Sequence, residues 1–442
     1  MPLFGRRRDS ERPLVERTER PALPAPPADT VDGLRAMADH RDYLLTCVDP
    51  LPPFSQQLLD AVGLCLCEDV SAAVDLPGFD NSAMDGYAVQ AHDVETASSD
   101  TPVRLPVVGE IAAGQVAPHR LSPGSAMKIM TGAPLPPGAD AVVPYEATDR
   151  GEREVAVVEP SVLGQHVRRR GEDVAAGTVV LREGQRLGPR AIGLLAGIGL
   201  DKVTVRPRPR PRVVVVSTGT ELVQPGHRLS SDREIYDSNS YLLAAAAKAA
   251  GAQVFRVGLV DDDPAAVKQL ISDQLVRADL ILTSGGISEG DYDVIKQVMP
   301  ELGATDFARV AMQPGKPQGF GLIGEDRVPM IMLPGNPVSS FVSFEAFVRP
   351  VIRRLMGATP YEREPVRCRA AHPMRSLPNR LQFARGLVES DRDGGRAVSL
   401  VGGPGSHLLG GLVRANTLVL LAEDVDFVAQ GDEVDVWLLG DE

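Results

Sequence analysis

At 442 residues the chain is too long for one ordinary domain; its length suggests roughly three, with ample material for buried cores. A net charge of −13 and 4% aromatic residues exclude the basic footprint and the stacking platforms of a nucleic-acid binder. No apolar run reaches the ~18 residues of a membrane span, and Met1–Arg8 carries charge without the apolar region of a secretory signal. The 4 cysteines, Cys47, Cys65, Cys67 and Cys368, lack the spacing of a zinc pair and read as free thiols of a reducing cytoplasm.

In chain order, residues 1–30 hold an Arg run and the Pro-rich PALPAPPAD, which cannot bury a core; a disordered tail is expected. Residues 31–70, together with 165–208, read as an elongated helical and linker domain. The stripe Leu44, Leu45, Val48 predicts one helix there. The stripe Leu58, Leu59, Val62, ended by Gly63, predicts a second, and Pro189–Gly199 a third. Residues 71–164 are dense in Gly and Pro, with short alternating runs at Val103–Val108 and Ala139–Val143, and predict a small β-rich domain. Arg206–Arg212, RPRPRPR, alternates a stiffening and a solvated residue and reads as a linker.

Residues 209–358 alternate strand and helix. Strands are predicted at Val213–Val216, Val254–Val260, Asp279–Thr283 and Val328–Leu333. Helices are predicted at Ser238–Ala250 (capped by Ser238 or Asn239), from Asp263-Pro264 onward, at Tyr292–Met299 (capped by Asp291) and at Val338–Met356. This pattern predicts right-handed parallel crossovers and a three-layer α/β sandwich with a parallel-rich sheet. Residues 359–442 return to short strands, Leu418–Leu421 and Val434–Leu439 among them, and fit a β-barrel-like C-terminal domain.

The stretch with most chemistry is Ala278–Asp293, ADLILTSGGISEGDYD. A buried strand runs into Ser284, Gly285 and Gly286, then Ser288, Asp291 and Asp293 before a helix. Glycines at a strand end allow positive φ and close approach of a ligand, and strand, turn and helix N-terminus together suit an anion. Acidic loops recur at Asp80 and Asp85 (FDNSAMDG), Asp173 (RRRGED), Glu221 (STGTEL) and Asp261–Asp263 (DDDP). Glu221, Asp262 and Asp293 follow strands of the α/β region, so their loops converge on one sheet edge, where carboxylates beside phosphate-cradling glycines suit Mg²⁺. Asp263 is adequately explained as a helix cap, which leaves Asp262 the better ligand. Pro314-Gly315-Lys316-Pro317 presents a lysine on a rigid loop expected to follow a strand Asp306–Met312. Leu333-Pro334-Gly335-Asn336-Pro337 leads into a helix whose N–H groups face outward; both fit oxyanion binding.

Taken together and in this order, PGFDNSAMDGYAV, KIMTGAPLP, RRRGED, STGTEL, DDDP, SGGISEGDYD, QPGKP and LPGNPVS resemble the molybdopterin molybdenumtransferase family from about Val31 to the C-terminus. The resemblance implies an elongated cytoplasmic homodimer of four-domain subunits with its site in a cleft between subunits. It implies molybdate and molybdopterin-AMP as substrates, and Mg²⁺. It also implies contact with the upstream adenylyltransferase and with recipient molybdoenzymes. Functional positions carry over to Asp85, Thr131, Asp173, Glu221, Asp262, Asp293, Lys316, Pro334 and Pro337. Asp85 would relay protons; Asp262 and Asp293, with Glu221, would hold Mg²⁺; Ser284, Gly285, Gly286 and Ser288 would cradle phosphate; Lys316 and Arg309 would attract molybdate. Two departures stand out. Gln313 replaces a lysine common in the family, whereas Arg309 keeps the charge at its position, and Glu289 stands where an apolar residue is usual. Rival readings are an adenylyltransferase acting on molybdopterin and a non-catalytic scaffold; intact Asp85, Glu221, Asp262 and Asp293 argue against the scaffold.

Overall fold

The computed structural model describes residues 22–29, 32–114, 119–206, 210–258, 263–287, 293–390 and 394–440. Most of the expected tail, part of the RPRPRPR linker, Asp261 and Asp262, and Ser288 to Tyr292 with the proposed Asp291 cap lie outside these residues. The chain forms two compact units, Pro53–Val205 and a larger one made of Met1–Pro52 with Arg206–Glu442.

In the smaller unit a five-stranded sheet has the order Ala141–Pro144, Gly86–Val89, Ala126–Ile129, Val103–Ile111, Glu154–Val157. Gly86–Val89 is buried on both faces: Tyr87 and Val89 join one core and Ala88 the other. Only glycine fits at position 86, because a Cβ would stand 2.0 Å from the Val143 carbonyl oxygen. A third core gathers Leu58, Leu66, Leu187, Leu195 and Val205 around the helix Pro189–Gly197.

The expected helix over Leu58–Val62 is absent. Phe54–Gln57 is instead a strand paired antiparallel with Lys202–Val205, and one tight turn follows, with Ala61 N donating to Gln57 O at 2.9 Å. Strand pairing consumes what would be the first helical turn. Of the predicted stripe only Leu58 is buried, while Leu59 and Val62 face solvent.

In the larger unit the α/β sheet has six strands in the order Gln253–Arg256, Arg212–Ser217, Leu280–Ser284, Val328–Leu333, Pro317–Ile323, Gly303–Arg309. The first four are parallel; Pro317–Ile323 runs antiparallel to them, and Gly303–Arg309, antiparallel to Pro317–Ile323, runs in their direction again. Helices Pro264–Gln274 and Val294–Leu302 cover one face over Val214, Val216, Ile281 and Met330. Helices Asn239–Ala249 and Pro337–Ser343 pack together on the other, completing three layers.

Several local details differ from expectation. The second strand is shorter, Gln253–Arg256. Ser238 makes no side-chain cap; Asp237, one residue earlier, accepts from Ser240 N at 3.0 Å. The helix expected from Tyr292 starts at Val294 with Asp293 at its N-cap. Val338–Met356 is interrupted by a π-helical turn at Phe344–Val348 ahead of Pro350, which has no N–H to offer the carbonyl four residues earlier. The strand expected over Asp306–Met312 ends at Arg309. The chain then leaves the α/β sheet, and Met312–Gln313 pairs parallel with Leu381–Gln382 of the C-terminal region. There, Leu381–Ser390, Arg396–Leu400, Val366–Ala370, Glu433–Leu438 and Thr417–Leu421 close on themselves through pairing of the first with the last, giving the expected barrel-like sheet. All four cysteines are free, and no helix among the described residues is long and apolar enough to cross a membrane.

Candidate functional site

The parallel strands bring three motifs to one edge. Ser217 lies opposite Ser284, and Ser284 opposite Leu333, so the loops beginning STGTE, SGG and LPGN leave the sheet side by side. Pro317–Ile323 runs antiparallel, with Gly319 opposite Met332, so its N-terminal end lies at this same edge and carries the Lys316 loop there. Arg309 stands opposite Pro317, one residue beyond Lys316. The topology therefore brings both expected cations, seven residues apart in sequence, to the sheet edge that carries the glycine turn, Lys316 two strands and Arg309 three strands along from it.

Gly285 and Gly286 have φ of 89° and 70°, the left-handed region that a Cβ disfavours. Gly285 N donates to Leu333 O at 3.0 Å. A Cβ built on Gly335 would stand 3.6 Å from Gly285 Cα, so the SGG and LPGN loops touch backbone to backbone. A Cβ on Gly286 would fall 2.7 Å from Ile295 Cγ1, which is why the turn can lie flat on the helix that follows. Pro334 presents its carbonyl to Ser340 Oγ, and Pro337 opens the next helix. The expected set of outward N–H groups there is smaller than the sequence suggests, since Val338 N donates to Ser406 O at 3.0 Å.

Among the acids of this unit, Asp293 is the most telling. Its side chain is 16% exposed, and Lys296 Nζ stands 3.9 Å from Oδ2, an ion-pair distance but not a hydrogen bond. Oδ2 is buried and has no hydrogen-bond partner among the described residues. A buried carboxylate oxygen left so is costly unless something else binds it; a carboxylate is a donor that a hard cation takes, although no group of three or more acidic, His or Cys side chains able to hold a metal occurs among the described residues. Glu221 is exposed, and its carboxylate folds back over Gly219, where a Cβ would be 2.9 Å from Oε2. Asp262 and Ser288 lie outside the described residues.

Residues that the sequence reading passed over tie these loops together. Asp237 is 2% exposed and accepts from Ser217 Oγ at 3.2 Å and from Ser240 Oγ at 2.5 Å. Asn239, two residues on, donates to Gly335 O at 2.6 Å, while its own Oδ1 is buried without a hydrogen-bond partner among the described residues. The only sequence signal was DSNS before an Ala-rich helix, which reads as a cap. The other omission is a cavity of about 460 Å³, where Gln313, Pro314 and Val338 face Arg375, Gln382 and Phe383 of the barrel-like sheet. Gln313, the departure from the family pattern, thus lines a cavity at the foot of the Lys316 loop.

In the smaller unit, Asp85 and Thr131 come together across adjacent strands. Asp85 Oδ1 accepts from Thr131 N and from Thr131 Oγ1, each at 2.7 Å. The backbone N–H, then the hydroxyl, hold this exposed carboxyl below the usual range. Asp173 is exposed nearby in sequence to Arg169 and Arg170. Asp80, grouped with the acidic loops above, is committed elsewhere, accepting from Arg170 N at 2.8 Å and Arg169 Nη1 at 2.7 Å.

Comparison with known proteins agrees over most of the chain. Residues 35–199 match the MoeA N-terminal region (domain I and II), 214–354 the probable molybdopterin binding domain, and 367–439 the MoeA C-terminal region (domain IV). Molybdopterin molybdenumtransferase 2 of Mycobacterium tuberculosis is 43% identical over 410 residues, covering 91% of this chain and 99% of that protein. The molybdopterin molybdenumtransferase of Haemophilus influenzae is 35% identical over 86% of this chain and 92% of its own length. The crystal structure of the molybdopterin biosynthesis moeA protein from Pyrococcus horikoshii superposes with a TM-score of 0.77 at 31% identity, covering 92% of this chain and 99% of that one. The chain belongs to the molybdopterin molybdenumtransferase family of molybdenum cofactor biosynthesis.

Proposed function

We propose that the chain transfers molybdenum from molybdate to adenylylated molybdopterin, releasing AMP and the finished cofactor. The observation that carries this reading is the single sheet edge where the SGG and LPGN loops touch and where Lys316, Arg309 and Asp293 also arrive. Ser284, Gly285 and Gly286, with Ser288, cradle the phosphates, since left-handed glycines leave room for the ligand against backbone N–H groups. Pro334 and Pro337 fix the adjoining loop. Lys316 and Arg309 supply positive charge to the incoming oxyanion, Lys316 as a flexible point charge. Asp293 with Glu221 and Asp262 would hold Mg²⁺, which supplies charge neutralisation at the pyrophosphate. The orphaned Asp293 oxygen supports that assignment.

Asp85, held ionised by Thr131, is set to take the protons that the dithiolene thiols give up as they bind molybdenum and to pass them to the oxo groups, which then leave as water; Asp173 is assigned to the same relay. The protein works in the cytoplasm as a homodimer of four-domain subunits, the division following residues 31–70 with 165–208, 71–164, 209–358 and 359–442. It receives its substrate from an adenylyltransferase and hands the product to molybdoenzymes. Exposed Phe79 and Met84, close to Asp85 in sequence, support a surface covered by a second copy.

The test is mass spectrometry of the pterin after incubation with molybdopterin-AMP, Mg²⁺ and molybdate. Molybdenum-loaded pterin and AMP are expected, with neither formed when molybdate is omitted. Accumulation of molybdopterin-AMP from ATP and molybdopterin would instead make the protein an adenylyltransferase.

A further inference from the structure

We propose that Arg35, far from every motif above, is a positioning residue for Lys316. This rests on the reading of Lys316 as an oxyanion ligand. Gly303–Arg309 is the edge strand of the α/β sheet, and an edge ordinarily leaves a row of N–H and C=O groups unpaired. Here residues around Arg35 add themselves to it. Arg35 N donates to Arg309 O at 2.7 Å and Ala311 N donates to Arg35 O at 2.8 Å, a parallel bridge centred on Val310. On its other edge Val310 N donates to Lys316 O at 2.7 Å, closing the turn that carries the lysine. One residue therefore sits between the N-terminal strap and the Lys316 backbone.

The strap is locked by side chains. The Arg35 guanidinium, 5% exposed, forks onto both carboxylate oxygens of Asp306, at 2.6 and 3.2 Å, on the strand that leads into the turn. It also donates to His40 Nδ1 at 3.1 Å. Arg35 cannot accept, so this nitrogen carries no proton. Arg35 further stands 5.7 Å from the Tyr43 ring, and Tyr43 packs edge-on against Phe320 at 6.2 Å on the strand that leads out of the turn. The N-terminal segment thus grips both strands flanking Lys316. Beyond Ala311 the chain crosses to the barrel-like sheet, where Leu381 N donates to Ala311 O, so without the strap the crossing segment is left with this bond and the one from Val310 N to Lys316 O on its turn side. Loss of the fork would let the turn shift, and a displacement near 1 Å at a charged binding group is enough to cost up to about 10²-fold.

The experiment compares Arg35→Met, Arg35→Lys and Lys316→Ala. It measures binding of molybdate alone by calorimetry, steady-state kinetics in molybdate and in molybdopterin-AMP, and the labelling rate of Lys316 by an amine reagent. Arg35→Met should change the labelling rate and raise both the molybdate Kd and its KM about tenfold, with KM for the pterin substrate unchanged; Arg35→Lys should recover part of this. Should Arg35→Met fail to fold, the double variant Arg35→Gln with Asp306→Asn removes both charges, leaves no buried ion alone, and should give the same shifts. An unaltered labelling rate together with an unaltered molybdate Kd in a folded variant overturns the proposal. A changed labelling rate, with Lys316→Ala binding molybdate normally, would support the strap and sink the oxyanion reading instead.

Discussion

Two sets of carboxylates, one from each unit, differ in how their oxygens are occupied. In the smaller unit Asp69, Asp75, Asp80 and Asp85 each accept from a backbone N–H, of Glu183, Ala176, Arg170 and Thr131 respectively, and each is held below the usual carboxylate range by that bond first. An arginine or a hydroxyl completes each set. In the larger unit Asp293 keeps a buried oxygen without a hydrogen bond, and Glu221 has no side-chain partner among the described residues. Carboxylates that are already satisfied fasten one loop to another. Those that are not have capacity left for a ligand. Both sets are acidic side chains in loops, and it is geometry that separates them.

The sharpest way to break the comparison is through glycine. Gly86→Ala would drive a Cβ into the Val143 carbonyl from an interior strand of the smaller unit's five-stranded sheet. The expected loss exceeds about 4 kcal/mol, the range reserved for severe core defects, and should appear as a collapsed melting transition. Gly285→Ala meets nothing closer than 3.6 Å, so it should cost only the left-handed strain of about 1–2 kcal/mol while placing a methyl where the phosphate belongs. A folded Gly285→Ala protein with normal turnover would show that the turn cradles nothing.

Asp293→Asn comes next. Turnover should fall by at least about 10²-fold, and the Mg²⁺ dependence should weaken. Stability should hold within about 1 kcal/mol or rise, because an amide is less costly to bury than a carboxylate with an oxygen left without a hydrogen bond. Marked destabilisation would mean that Asp293 is a structural partner like Asp75.

These assignments were legible in unequal measure. SGG, LPGN and the Lys316 loop could be placed on one edge from sequence because strand ends of a parallel sheet share a side. What sequence could not supply was the antiparallel turn-back of Pro317–Ile323, which brings Lys316 to that edge from its N-terminal end. Leu58–Val62 misled because a short apolar stripe does not say whether its residues will be consumed by strand pairing. Asp237 hid inside a plausible capping run. Arg35 was invisible for a plainer reason: its partner Asp306 lies 271 positions away, and only the fold brings the two together.

A subtler probe concerns Asp85. Thr131→Val removes the hydroxyl donor and leaves the backbone one, so the Asp85 pKa should rise part of the way toward its ordinary value. If Asp85 works ionised, activity is present above its pKa and lost as pH falls through it. The acid limb of kcat/KM should therefore move to higher pH in Thr131→Val and return in Thr131→Ser. An acid limb that stays in place would reduce Asp85 to one more loop fastening.

Glu221→Gln has the smallest expected structural effect and tests the comparison from its other end. Glu221 is exposed, and its carboxylate lies over Gly219 rather than against a donor. The backbone, not the side chain, anchors this loop, since Ile235 N donates to Glu221 O at 2.8 Å. The amide keeps the size of the side chain and removes its charge, so thermal unfolding should change by no more than about 0.5 kcal/mol. If the carboxylate helps hold the cation or the departing oxo group, turnover should fall while the KM for the pterin substrate stays put, the pattern of an interaction made in the transition state. Both measurements belong on the same preparation, with turnover expressed per folded molecule. A variant that melts several degrees early yet turns over normally would place Glu221 with the fastening carboxylates and leave Asp293 as the acid of this edge that waits for a ligand.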